Sequence, residues 1–395
     1  MGPLMRIVLL NLFAGLLSAQ TVSLLAPRTF TGTKLPNAIL SGDFNNDGLL
    51  DVLVSADEYD FFAGNGNGTF LPPVNTPTGV FIQTVAADFN RDGKLDLASI
   101  NPYDLTPSVS VSLGNGDGTF SPAVVYSIPS IATSIAAGDF NNDGIPDLAV
   151  SNGDVISVLL GRGDGTLAPP INTPANGSVL SIAAADLNGD GNLDLAAVDA
   201  ENNGGDMQLL LGNGQGSFTL GSRAFLNTPS PRVVAVSDLR LDGVFDVLVV
   251  DTADVFVFLG YGDGTFQPAV TYPVADGESI AIADVNGDGK PDLLVGDYDS
   301  NAVSVLLGNG DGTFQPQAFA SAGVSVVGVA TGDFNGDASP ILLRPTKGPS
   351  PSPFSLAINT PASMRRASPC HPPTRSSRPI STGIESWILR WPLAS

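Results

Sequence analysis

Short apolar runs alternate with polar, glycine-dense turns along most of the chain. One set comprises Val52-Leu53-Val54, Leu97-Ala98-Ser99-Ile100, Leu148-Ala149-Val150, Leu195-Ala196-Ala197-Val198, Val247-Leu248-Val249-Val250 and Leu293-Leu294-Val295. A second run follows after a polar turn, as in Val109–Leu113, Val255–Leu259 and Val303–Leu307. Brief, β-branched and bounded by turn residues, these runs predict strands. Next comes a hairpin, Leu113-Gly114-Asn115-Gly116-Asp117-Gly118-Thr119-Phe120, whose close copies end at Phe70, Leu167, Phe218, Phe266 and Phe314. Its Asn-Gly and Asp-Gly steps supply the positive φ that tight hairpins need. A third run carries a proline near its start, as in Ser121-Pro122-Ala123-Val124-Val125-Tyr126, which suits an edge strand. The run that leads on to the next unit is made of small residues, as in Ser134–Gly138 and Ser181–Ala185, and suits a crowded central axis. Four strands in a unit of roughly 48 residues is the content of a β-propeller blade. No sustained helical periodicity competes with it.

Between the first two strands of each unit lies a nine-residue loop with oxygen-bearing side chains at positions 1, 3, 5 and 9 and glycine at position 6. Asp43, Asn45, Asp47 and Asp51 form the first, with Gly48 at the turn. Asp88, Asn90, Asp92 and Asp96 form the second, and Asp139, Asn141, Asp143 and Asp147 the third. Asp186, Asn188, Asp190 and Asp194 form the fourth, and Asp284, Asn286, Asp288 and Asp292 the sixth. A hard cation such as calcium takes oxygen ligands of this kind, and position 7 can contribute a backbone carbonyl whatever its side chain. Leu49, Lys94, Ile145, Asn192, Val244 and Lys290 stand there. The fifth loop keeps Asp238, Asp242 and Asp246 but carries Arg240 at position 3, so it holds either a cation or a guanidinium as internal counterion. A seventh copy opens as Asp333-Phe334-Asn335-Gly336-Asp337, then has Ala338 for the glycine and Ile341 for the last aspartate. Successive first aspartates lie 45, 51, 47, 52, 46 and 49 residues apart. These are not EF-hands: position 12 is Val54, Ser99, Val150, Ala197 and Val295 in the five full loops, not the bidentate glutamate, and strands flank each loop. Bound ions are expected to be structural, pinning the loops.

The formal charge of −22 is accounted for by the ligand loops, and an acidic chain with few basic residues is a poor partner for nucleic acid. One cysteine excludes an internal disulfide framework. Residues 1–19 predict a secretory signal, with Arg6, an apolar core from Ile7 to Leu17 and a Leu17-Ser18-Ala19 cleavage site. The mature chain has no stretch of transmembrane length. Residues 20–337 form the repeat region, and residues 21–34 resemble the outer strand of a blade, so the N-terminal strand is expected to pair with the last blade. Residues 338–395 break the pattern, with seven of the seventeen Lys and Arg, eleven of the thirty-one prolines, both tryptophans and the single acid Glu385. This tail is read either as the product of a reading-frame shift or as a disordered extension.

Together the loops and hairpins resemble the FG-GAP and VCBS-type repeats of exported bacterial proteins, which are similar to the calcium-binding blades of integrin α subunits. The resemblance covers residues 21–337. It implies an all-β, seven-bladed propeller of four-stranded blades, six complete and the seventh incomplete or closed by the N-terminal strand, with Ca2+ in five loops and in a sixth around Asp238. It implies a secreted or cell-surface module, monomeric, that binds an extracellular protein or glycan and serves in adhesion.

Outside the tail there is neither histidine nor cysteine, so no nucleophile–His pair can form, and no enzyme is expected. A carboxylate pair for polysaccharide cleavage stays open, as does a non-functional disrupted chain. Arg162-Gly163-Asp164 spells an integrin-recognised tripeptide, yet it falls within the repeated hairpin. The turns Asp57–Asp60, Asn101–Asp104, Glu201–Asn203 and Asp297–Asp299 vary most between units and are expected to offer exposed tyrosines on the face opposite the loops.

Overall fold

The computed structural model describes residues 28–31, 38–55, 59–76, 83–100, 106–199, 204–226, 228, 230–297, 302–321, 328–337, 341–346 and 355–359. Their regular elements are all strands. Six blades each consist of four consecutive antiparallel strands. In the third blade Ser134–Gly138 pairs with Asp147–Ser151, which pairs with Val155–Leu159, which pairs with Ile171–Pro174. The sequence pattern explains the order. Every second strand, such as Asp147–Ser151 or Asp246–Asp251, is buried along its whole length, hence its nearly continuous apolar run. The fourth strand is outermost and largely exposed, as in Val124–Ser127, where a proline-led segment and a missing N–H are tolerated. The small-residue first strands of successive blades lie beside one another, Ala38–Gly42 next to Gln83–Ala87 and so on to Gly277–Ala283.

The hydrophobic core lies between blades rather than within them. Ala196, Val198, Met207 and Leu209 of the fourth blade meet Val234, Val236, Val247 and Val249 of the fifth. The third and fourth blades share Ile156, Val158, Leu195 and Leu210.

The expected count of seven blades is corrected. Six blades are built from consecutive strands. The remaining strands make a composite sheet from both ends of the described chain, in the order Arg28–Thr31, Ser355–Asn359, Ile341–Thr346, Ala330–Gly332. The N-terminal strand pairs antiparallel with Ser355–Asn359, Phe30 opposite Leu356, and Ala330–Gly332 lies beside the first strands of both the first and sixth blades. The physical reason is the broken loop: with Ala338 and Ile341 in place of glycine and aspartate, no complete ligand loop closes this sheet. Two segments of the proline-rich tail thus serve as strands; the rest of it, and the signal segment, lie outside the described residues.

Candidate functional site: the ligand loops

The third loop shows how the repeated sequence folds. Asn142 at position 4 has φ 59° and Gly144 at position 6 has φ 80°, two left-handed residues that bend the chain back on itself. Both carboxylate oxygens of Asp139 then accept loop amides, Oδ1 from Asp143 at 3.0 Å and Oδ2 from Gly144 at 2.8 Å. Asn141 Oδ1 also accepts the Asp143 amide, and Asp143 Oδ1 accepts that of Ile145 at 2.8 Å. Asp43, Asp47, Asp88, Asp92, Asp186, Asp190, Asp284 and Asp288 repeat this arrangement in the other full loops.

Position 9 is different. Asp51, Asp96, Asp147, Asp194, Asp246 and Asp292 are all fully buried. Asp147 Oδ2 accepts the Phe140 amide at 2.9 Å, and Oδ1 accepts the Gly161 amide at 2.7 Å, tying the loop to the hairpin of its own blade. Gly64, Gly114, Gly212, Gly260 and Gly308 donate in the same way. Those glycines are dictated by space, because a Cβ at Gly114 would overlap the Leu95 carbonyl. Burial pushes Asp147 up to about 7, and Asp51, Asp96, Asp194 and Asp292 up to about 6, against the pull of the backbone amides that each accepts. Taking a carboxylate out of water disfavours its charged form.

A second set of bonds crosses between blades. The Gly118 amide of the second blade's hairpin donates to Phe44 O in the first loop, at 3.1 Å. Gly165 reaches Phe89, Gly216 reaches Phe140, Gly264 reaches Leu187, and Gly68 reaches Phe334 beside the composite sheet. Position 2 supplies the acceptor and also a buried side chain. Phe44 meets Phe120 edge-on with centroids 6.2 Å apart, and Phe140 meets Phe218 at 5.8 Å. The sequence reading used the hairpin-ending phenylalanine only to mark the repeat and gave position 2 no role. Their recurrence at fixed distances from the loop and the hairpin was the available signal.

The fifth loop keeps the backbone but not the chemistry. Leu241 has φ 54° and Gly243 φ 83°, and Asp238 again accepts the amides of Asp242 and Gly243. Arg240 turns inward. One guanidinium nitrogen lies 3.2 Å from Asp242 Oδ2; the other donates to Asp246 Oδ1 at 3.0 Å and to Gly260 O at 2.8 Å. A positive group thus bridges positions 5 and 9.

That guanidinium tests the donor set for a cation. The carboxylates of positions 5 and 9 are within reach of one positive centre in a loop of this shape. In the five full loops the donors are hard oxygens, and carboxylate oxygens that accept one amide keep further lone pairs. The set fits calcium or magnesium rather than a soft metal. Positions 1, 3, 5 and 9, with the carbonyl of position 7, would hold the ion, whose charge would offset that of three carboxylates. Among the described residues no three acidic, histidine or cysteine side chains form a ready-made cluster.

The opposite face departs from expectation. Tyr59 is a buried residue of the third strand of its blade, its hydroxyl 2.7 Å from Thr84 Oγ1 and 2.9 Å from Ser99 Oγ. It is no exposed contact residue. Asp60 and Asp297 are buried as well. Residues 57, 58, 101–104, 201–203, 298 and 299 lie outside the described residues. Arg162-Gly163-Asp164 folds as an ordinary hairpin. Asp164 Oδ1 accepts the Thr166 amide and hydroxyl, which hold its carboxyl below the usual range, as at Asp117, Asp263 and Asp311.

Among the described residues no helix is long and apolar enough to cross a membrane. No curated protein is significantly similar to the chain in sequence. Solved structures share the fold. An Agrocybe aegerita lectin, described by its specific recognition of non-reducing terminal N-acetylglucosamine, is 22% identical with a TM-score of 0.53, covering 71% of this chain and 79% of that one. BBS1N in complex with ARL6DN is 14% identical with a TM-score of 0.62, covering 86% of this chain and 98% of that one. The FG-GAP-like repeat model matches residues 43–99, 88–150, 139–197, 238–295 and 284–340, each window running from one ligand loop into or toward the next. With more than half of its length so matched, the chain belongs to the FG-GAP-like repeat family.

Proposed function

We propose that this propeller is an exported, calcium-stabilised and non-catalytic module that captures an extracellular protein or glycan. The observation that carries the calcium part is the repetition of one oxygen-lined loop, with the same bonds, in five blades. Three carboxylates gathered in nine residues repel one another until a divalent ion offsets their charge. The ligand part is supported by the neighbours that share the fold, one described as recognising a terminal sugar and another crystallised with a protein partner. Export is supported by residues 1–19 and suits an ion abundant outside cells.

The test is a count of calcium bound to the purified full chain after gel filtration, together with an array of glycans that includes terminal N-acetylglucosamine. About five ions per chain and calcium-dependent retention of a glycan family are expected. A chain that binds no calcium at millimolar concentration overturns the first part. Turnover of a retained polysaccharide overturns the non-catalytic assignment.

A further inference from the structure

We propose that Arg240 takes the place of the divalent ion in the loop 238–246, so that the fifth blade is held by a positive group built into the chain. The loop has lost an oxygen donor and gained a cation at one position. In the full loops Asn45, Asn90, Asn141, Asn188 and Asn286 each offer Oδ1 to the amide at position 5. Arg240 has no oxygen to offer. Its guanidinium instead contacts Asp242 Oδ2, Asp246 Oδ1 and Gly260 O, bringing a carboxylate from the middle of the loop, one from its end and the hairpin carbonyl to a single planar donor group. A guanidinium stays protonated at any physiological pH and presents its donors in a rigid fork, so it satisfies the carboxylates without regard to the calcium level. A divalent ion entering beside it would meet like charge at contact distance.

The two lysines near other loops do not do the same. Lys94 lies 3.5 Å from Asp92 and Lys290 3.9 Å from Asp288, both from the exposed side, and among the described residues neither pairs with position 9. The substitution is therefore specific to the fifth blade. That blade still keeps the rest of the design: the buried Asp246, the Gly260 amide bound to it and the left-handed residues 241 and 243.

The inference rests on the calcium reading for the other five loops, and its test separates the two. Bound calcium is counted on the full chain in the wild type and in Arg240→Asn, Asp242→Asn and Asp143→Asn. Arg240→Asn is expected to bind one ion more than the wild type. Asp242→Asn is expected to match the wild type, while Asp143→Asn, in a full loop, loses one ion. A folded Arg240→Asn that gains none overturns the inference. If that variant does not fold, Asp242→Asn decides: an unchanged count supports the inference and the loss of one ion overturns it. A wild type that binds nothing sinks the calcium reading and the inference with it, whereas a wild type that binds about five ions beside a folded Arg240→Asn that gains none overturns the inference alone.

Discussion

The third and fifth loops have nearly the same backbone and solve the same electrostatic problem in different ways. Each gathers three aspartates, buries the last, and ties it to the hairpin through a glycine amide. In the third, Asn141 adds another oxygen and the negative charge is left for something outside the chain to balance. In the fifth, Arg240 balances part of it from within. Loop shape therefore follows from the glycine and the amide-accepting aspartates, whereas ion dependence follows from position 3.

Chelation should separate the two loops most sharply. Each occupied site at a free ion concentration a hundred times its Kd stabilises the fold by about 2.7 kcal/mol. Calcium removal should thus lower the thermal midpoint strongly, and amide exchange should accelerate at Gly161 more than at Gly260. Equal acceleration at both amides would erase the contrast.

Removing the buried aspartate comes next. Asp246→Ala takes from Arg240 one of its two carboxylate partners and leaves two amides unmet, and breaking a buried pair costs up to roughly 3–5 kcal/mol. Asp147→Ala leaves two amides without partners, at roughly 1–3 kcal/mol each. Urea denaturation in chelator should rank Asp246→Ala as at least as damaging. The reverse order would mean that Arg240 contributes little.

Gly165→Ala tests the link between blades. Its Cβ would approach Leu113 Cδ2 to 2.6 Å at a φ of 81°, so overpacking of roughly 1–3 kcal/mol adds to about 1–2 kcal/mol for a left-handed residue. A stability unchanged by this variant would show that the contact yields without cost.

The smallest effect belongs to Gly144→Ala and Gly243→Ala. Both positions have φ above 80° or at it, and an added Cβ meets nothing within 4 Å, so each should cost only the left-handed term of about 1–2 kcal/mol. Measured in chelator, the two costs should agree. A difference would show that the two backbones are not equivalent without ions.

Much of this architecture was legible. Oxygens at alternate positions, a glycine at the sixth and a repeat near 48 residues located each loop and the buried strand that follows it in all six blades, because side-chain spacing and turn chemistry are local properties. Blade count was not local in that sense. Ala338 and Ile341 broke the motif, yet strand pairing uses backbone groups that every non-proline residue carries, so Ile341–Thr346 and Ser355–Asn359 entered a sheet that no motif announced. Tyr59 misled for a related reason. Flanked by acids it looked like a polar turn, but its hydroxyl finds Thr84 and Ser99 and is buried with its hydrogen bonds made. The sequence already offered the Arg240 guanidinium as one of two counterions for its loop; only the folded loop shows which carboxylates it reaches.

The amide links between blades also set an order of assembly during synthesis. When the Gly118, Gly165, Gly216 or Gly264 hairpin emerges from the ribosome, the loop that it docks on has already been made. Each blade can therefore add to a finished template roughly 75 residues behind it. Gly68 is the exception, because its acceptor Phe334 is made last. The first blade is left with an open side until Phe334 has been made. Its closure joins distant parts of the chain, a kind of contact that forms slowly. Until that step the nascent protein is an arc with two ends, and its vulnerability to proteases and to mispairing is greatest at the first blade.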